Sequence, residues 1–210
     1  GIDFESPEFR DAQGNSRIQF LWDQTLSAEQ VNGQLPEEDE EFAGKAAPPE
    51  GFGRGVEFSK YRIDAALKSR FPKRVVPSTD ASGHGTAVAA IAAAGGRLAD
   101  GRYQGVAPES GLLIVKMGTP RPDSFPKTTE LMRAVTYVVK KAVELGRPIA
   151  INLSFGNTYG SHDGTSLVIT LPKLAGALYV WEAAMKEPPE DMCQAASGRM
   201  PKGRICDGLS

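Results

Sequence analysis

The middle of the chain carries a strand, an amphipathic helix and a second strand in succession, and this order restricts the fold more than any other feature. Two short apolar runs, Leu112–Met117 and Ile149–Phe155, are typical of buried strands, and Arg17–Trp22 alternates well enough to form another. The segment Thr129–Leu145 repeats apolar residues at steps of three and four, which predicts a helix with one apolar face. Parallel strands need such a crossover, so the sequence predicts an α/β fold with a parallel sheet flanked by helices.

Composition and charge exclude several classes of function. Of the 210 residues, 40% are hydrophobic and 24% are charged, which is normal for a globular protein of one ordinary domain. The formal net charge of −2 gives no electrostatic basis for a nucleic-acid partner, and no apolar run reaches the ~18 residues of a membrane span. The two cysteines, Cys193 and Cys206, form neither a disulfide framework nor a zinc-binding spacing, and the residues predict no metal or cofactor.

His84 has the most distinctive chemical setting in the sequence. It stands between Gly83 and Gly85, and the alanine-rich run Thr86–Ala94 predicts that a helix begins here. The positive end of a helix dipole disfavours imidazolium, so a histidine in this place stays neutral and ready to accept a proton. From these residues alone, a general base and a surface histidine in a glycine-rich turn are equally well supported. Asp80 is expected to hydrogen-bond this turn and is given no catalytic role.

Four segments, in order along the chain, resemble the sequence motifs of the subtilases, a family of serine peptidases. They are Gly1–Asp3 with Pro7–Phe9, the turn Gly83–Thr86 followed by Ala-Val-Ala, the segment Gly105–Pro108 ahead of an apolar strand, and Ile151–Gly156. Many subtilases carry a second histidine at the position of Ala87, which leaves the catalytic position unaffected. The phrases FLWDQT, GRGVEF and GSHDGTS resemble a narrower group, the clostridial germination-type (Csp-like) subtilases. The resemblance extends over about residues 1–166.

The resemblance implies a catalytic triad of aspartate, histidine and serine, in which His84 accepts the proton of the serine. It places the aspartate two positions before Gly1 and the serine downstream. This chain is therefore expected to be the N-terminal part of an incomplete subtilisin-like domain and to be inactive by itself. The implied function of the intact parent is serine-type endopeptidase action on peptide or protein substrates without a cofactor. Calcium binding is implied only by analogy with the family. A non-catalytic pseudoprotease or peptide-binding module is the alternative.

The backbone of Ser154, Phe155 and Gly156 is implied by the resemblance to pair with extended substrate as an added strand. The other interpretation is that these residues only end a core strand. If the substrate role is correct, His84 begins a largely buried helix close to the carboxyl ends of the strands, and Ser154 borders the same cleft.

Ser166 ends a Gly-Thr-Ser sequence that looks like the nucleophile signature of the family. It lies too close to the preceding strand for that role, and we interpret it as part of a polar loop. The predicted organisation is a partial subtilase domain over residues 1–166, with a polar insertion at about 27–55, and an atypical tail over residues 167–210. No further strand–helix–strand unit is evident in the tail, which we interpret as disordered or as the product of a reading-frame change.

Overall fold

The computed structural model describes residues 1–35, 44–118, 128–154 and 178–182. The strands in this part of the chain are β1 (Ile18–Asp23), β2 (Val56–Ser59), β3 (Leu112–Lys116), β4 (Ala150–Ser154) and β5 (Leu178–Glu182). The helices are α1 (Ala28–Gln34), α2 (Lys60–Lys68), α3 (Pro72–Val75), α4 (His84–Ala93) and α5 (Thr128–Glu144). Short 3-10 turns lie at Pro7–Phe9 and Arg97–Ala99. No helix among these residues is long and apolar enough to cross a membrane.

β1 lies at the centre of a three-stranded sheet with the order β2-β1-β3. β1 and β3 are parallel, and their register ends with Asp23 opposite Lys116, so the carboxyl ends of both strands meet at one edge. β2 runs antiparallel to β1 on the other side. The predicted strands at β1 and β3 and the α/β class are confirmed. β2 is not predicted, because its four residues follow a long polar segment and are too few to show a clear pattern.

β4 belongs to a second sheet, in which it runs parallel to β5. The prediction that β3 and β4 pair in one crossover unit is therefore not met among the described strands. A local apolar pattern identifies a strand, but ladder partners depend on backbone hydrogen bonds that the pattern does not encode. β5 lies in the predicted tail, so this segment contributes a strand that the sequence analysis does not recognise. Periodicity alone does not separate strand from helix in so short an apolar run.

Two apolar clusters stabilise these layers. The first packs the N-terminal segment against the sheet and contains the buried side chains of Ile2, Phe4, Phe9, Ile18, Leu21 and Phe58. The second packs Leu131, Val135 and Val138 of α5 with Trp22, Ile151 and Leu153. Because Trp22 belongs to β1 and Ile151 to β4, α5 joins the two sheets with the apolar face that the sequence predicts. Burial of each large apolar side chain contributes roughly 1.5–3 kcal/mol.

α4 lies at the surface of the described structure. Ala89 and Ala90 pack against the first cluster and Ala93 is buried, whereas Ile91 is 74% exposed. The prediction of a largely buried helix is therefore wrong for the part of the chain that the structure describes. The N-terminal segment covers one face of the helix, and the opposite face carries no further layer of the described residues.

Candidate active site

A glycine turn places His84 at the start of α4. Gly83 occupies the N-cap position with φ of 74°, in the left-handed region that glycine adopts without strain. The backbone N of His84 donates a hydrogen bond to the Ser82 hydroxyl at 3.3 Å. As predicted, the imidazole stands at the N-terminus of a helix, and its side chain is exposed to solvent.

The ring of His84 meets the carboxyl end of β4. Its Nε2 atom lies 2.9 Å from the backbone carbonyl oxygen of Ser154, the last residue of that strand. This contact places Ser154 beside His84, at the strand end where ligand sites of α/β folds collect, and its predicted role in substrate binding stays a prediction. Phe155 and Gly156, the other two residues predicted to bind substrate, lie outside the described residues.

The partner atom determines the protonation of His84 in this arrangement. A carbonyl oxygen only accepts hydrogen bonds, so Nε2 carries a proton while the contact with Ser154 is made. A general base must present an unprotonated nitrogen to the group from which it removes a proton. Before Nε2 can act in that way, His84 has to release the Ser154 carbonyl.

Asp80 closes the loop that carries His84. Its Oδ2 atom accepts hydrogen bonds from the backbone N of Thr86 at 2.8 Å and from the Thr86 hydroxyl at 2.7 Å. Burial, which leaves the side chain 5% exposed, acts to raise the pKa of this carboxyl. The hydrogen bonds from Thr86 outweigh burial and hold the pKa below the ordinary value of 3.8. The expectation that Asp80 hydrogen-bonds this turn is confirmed.

The N-terminal segment packs directly on the histidine turn. The backbone N of Asp3 donates to the Thr86 hydroxyl at 2.8 Å, although 83 positions separate the two residues. The Gly1 backbone lies against Gly85, and a Cβ atom at Gly85 would collide with the Gly1 carbonyl, so this position requires glycine. The amino group of Gly1 is 3.9 Å from an Asp80 carboxylate oxygen. The first residues of the chain are therefore neighbours of the histidine turn.

A buried ion pair, which no local sequence pattern identifies, is linked to the same loop. Asp23, at the end of β1, is fully buried, and its Oδ2 atom lies 3.3 Å from the Lys116 Nζ atom. The same oxygen accepts a hydrogen bond from the Ser78 hydroxyl at 2.7 Å, two residues before Asp80. The sequence signal is a charged residue at the end of each apolar strand, and only the parallel pairing of β1 with β3 brings the two charges together.

The fold of this chain is similar to that of a solved protease structure. The chain is similar to the Clostridium perfringens CspB protease, with a TM-score of 0.64 and 32% sequence identity over 86% of this chain and 33% of that chain. It thus spans about a third of the length of the CspB protease chain. A psychrophilic protease, S41, matches with a TM-score of 0.42 and 20% identity over 77% of this chain and 43% of that chain. A comparison with curated proteins finds no match.

The family comparison covers the residues of the site. The model of the subtilase family, Peptidase_S8, matches residues 44–195, which include His84 and Ser154. This match and the similarity to the CspB protease confirm the resemblance to subtilases of the Csp-like group. The small sheets flanked by helices agree with part of a subtilisin-like domain. The chain belongs to the subtilase family.

Proposed function

We propose that this chain supplies the catalytic histidine and part of the substrate-binding edge of a serine-type endopeptidase. Membership of the subtilase family implies a peptidase that acts on peptide or protein substrates. The observation that carries the assignment is the 2.9 Å contact between His84 Nε2 and the Ser154 carbonyl. A general base must lie within hydrogen-bond reach of the reacting groups. The contact supports this role, because it places the imidazole at the strand end where substrate is expected.

In the proposed mechanism, a serine attacks the peptide carbonyl while His84 accepts the hydroxyl proton, and His84 then gives that proton to the leaving amine. An aspartate orients the imidazole. By the resemblance, we assign the aspartate to the position two residues before Gly1 and the serine to a downstream segment. The packing of Gly1 on Gly85 supports the first assignment, because the backbone expected to follow the aspartate lies beside the histidine turn.

Ser154, with Phe155 and Gly156, is proposed to bind the substrate backbone as an added strand. An amide N–H of the bound peptide would donate to the Ser154 carbonyl, which is the acceptor that His84 uses in the structure. Substrate would then compete with His84 for this oxygen. Peptide binding would release Nε2, and the neutral ring would then carry its proton on Nδ1, toward the orienting aspartate, so that Nε2 could accept the serine proton.

A titration with a short extended peptide tests this edge. We expect the ring-proton NMR signals of His84 to shift as the peptide binds to the 210-residue chain, while the peptide remains uncleaved and a fluorophosphonate probe leaves the chain unlabelled. Cleavage is not expected because triad members act as a unit, and the loss of one removes about 10⁴-fold or more of the rate. The matched control is the same peptide with N-methylated backbone amides, which cannot pair as a strand.

Two outcomes would contradict the proposal. Equal shifts with the N-methylated peptide, or no shift with either peptide, would reject backbone pairing at Ser154. Turnover that disappears in Ser166→Ala would show that the chain is active by itself and that our interpretation of the Ser166 loop is wrong. Ser166 lies outside the described residues.

A second candidate function is a pseudoprotease that binds peptides without cleaving them. The observation in its favour is the carbonyl partner of Nε2, which keeps a proton on that atom while the contact lasts. This alternative predicts peptide binding that is unaffected by His84→Ala, and no turnover in any longer polypeptide that contains the chain. The peptidase predicts turnover in such a polypeptide and its loss in the same variant.

A further inference from the structure

We propose that Asp80 is a positioning residue for His84, holding the histidine turn in the orientation that directs the imidazole toward the end of β4. The inference rests on the proposed role of His84 and adds a residue that determines where its ring lies. Asp80 itself acts through the loop and is not a group that would touch the substrate.

The first link runs from Asp80 to the first turn of α4. The N-cap residue of this helix is Gly83, which has no side chain to accept a hydrogen bond from the free amides of the first turn. Asp80 supplies the missing acceptor from outside the helix, because its Oδ2 atom binds both the backbone N and the hydroxyl of Thr86. The carboxylate therefore fixes the backbone two residues after His84.

The second link approaches His84 from the other side. The Ser82 hydroxyl lies 3.5 Å from the Oδ1 atom of Asp80 and accepts a hydrogen bond from the backbone N of His84. The two carboxylate oxygens thus bind on both sides of His84, one toward Ser82 and the other toward Thr86. Because the imidazole is exposed, the direction of its ring depends on the backbone that these bonds hold.

The third link ties the loop to the body of the protein. The Thr86 hydroxyl donates to Asp80 and accepts from the backbone N of Asp3, whose neighbours Ile2 and Phe4 are fully buried. The turn is therefore connected to the core by the hydrogen bonds of Thr86. Loss of the Asp80 carboxylate would leave Asp3 as the one partner of the Thr86 hydroxyl among the described residues and would free the turn on the side of Ser82.

The test follows the imidazole of His84 in the 210-residue chain by ¹⁵N NMR. The chain has two histidines, so His162→Gln identifies the signals of His84. In the parent chain we expect the ¹⁵N signal of a protonated Nε2 that is hydrogen-bonded to the Ser154 carbonyl, which we call the His84 signature. We expect Asp80→Ala to lose this signature. Asp80→Asn keeps one oxygen acceptor for Thr86 and is expected to restore it. A milder variant, Thr86→Val, removes only the hydroxyl and is expected to weaken the signature while the chain remains folded.

The matched control is Asp64→Ala, which removes the acceptor of the Ser16 backbone N and the ion pair with Lys60 at 3.1 Å, on another part of the chain. It should lower the melting temperature and leave the His84 signature intact. The proposal is overturned if Asp80→Ala lowers stability like the control with His84 unchanged, or if Asp80→Ala fails to fold and Thr86→Val leaves the signature unchanged. Failure of the proposed peptidase would appear separately, as turnover that persists without His84.

Discussion

His84 owes its position to the residues of its own turn, because its ring is exposed to solvent. Gly83 provides the left-handed backbone, Gly85 admits the Gly1 carbonyl, and Asp80 binds Thr86. The sequence locates this turn and predicts the Asp80 bond, because all of these residues except Gly1 lie within a few positions of the histidine. The contact with Gly1 spans the whole N-terminal part of the chain, so no local pattern reveals it.

Acid should remove the stabilisation that Asp80 provides. Its pKa is lowered in the folded protein relative to 3.8, so its contribution is present above that pH and is lost as the pH falls through the lower folded value. We expect Asp80→Asn to lower the melting temperature by roughly 1–4 °C near neutral pH, since loss of a charge at a helix N-terminus costs about 0.3–1 kcal/mol. The melting temperatures of the parent chain and of Asp80→Asn, measured as a function of pH, should converge below pH 3.8. A melting-temperature difference between the two proteins that is constant over the whole pH range would show that the carboxylate charge has no role.

The helices and strands differ in how well sequence identifies them. α5, β1 and β3 carry long or apolar periodic patterns, and each is predicted close to its observed bounds. β2 and β5 are not, because β2 has only four residues after a long polar segment, and β5 lies in an apolar patch whose periodicity does not separate strand from helix. The same limit explains Asp23 and Lys116. Each ends a predicted strand, but their ion pair exists only because β1 and β3 are parallel and in register.

Breaking the buried ion pair between Asp23 of β1 and Lys116 of β3 should lower the free energy of unfolding substantially. Asp23→Asn leaves the Lys116 ammonium, which is 21% exposed, without its counter-charge, and removal of one partner of a buried pair costs about 3 kcal/mol or more. Urea denaturation measures this loss. Glu144→Gln, at a half-exposed carboxylate that pairs with Lys140 and Lys141 on its own helix, is the control and should cost less than about 1 kcal/mol.

Combining Asp23→Asn with Lys116→Met should recover part of the lost stability, since no buried charge is then left unpaired. Equal losses from Asp23→Asn and Glu144→Gln would show that the pair does not hold the strand ends together.

At the scale of the molecule, the side chains around β1 form a buried core, whereas α4 beside it exposes one face to solvent. Ile91 and Val106 are 74% and 90% exposed, and the backbone N of Val106 donates to the Ile91 carbonyl at 3.2 Å, so the two lie side by side. The predicted burial of α4 is therefore not met on this side of the described structure. The boundary at residue 166 and the origin of the tail remain predictions; residue 166 lies outside the described residues, whereas residues 178–182 of the tail form β5.

Peptide hydrolysis by a polypeptide that extends this chain with the segments encoded on either side of it tests the central claim most directly. If His84 is the general base, His84→Ala lowers kcat by about 10⁴-fold or more, because the serine then has no proton acceptor. His162→Ala, at the other histidine, should retain the parent rate. A His84→Ala protein that cleaves peptide as fast as its parent, with its fold intact, would contradict the account.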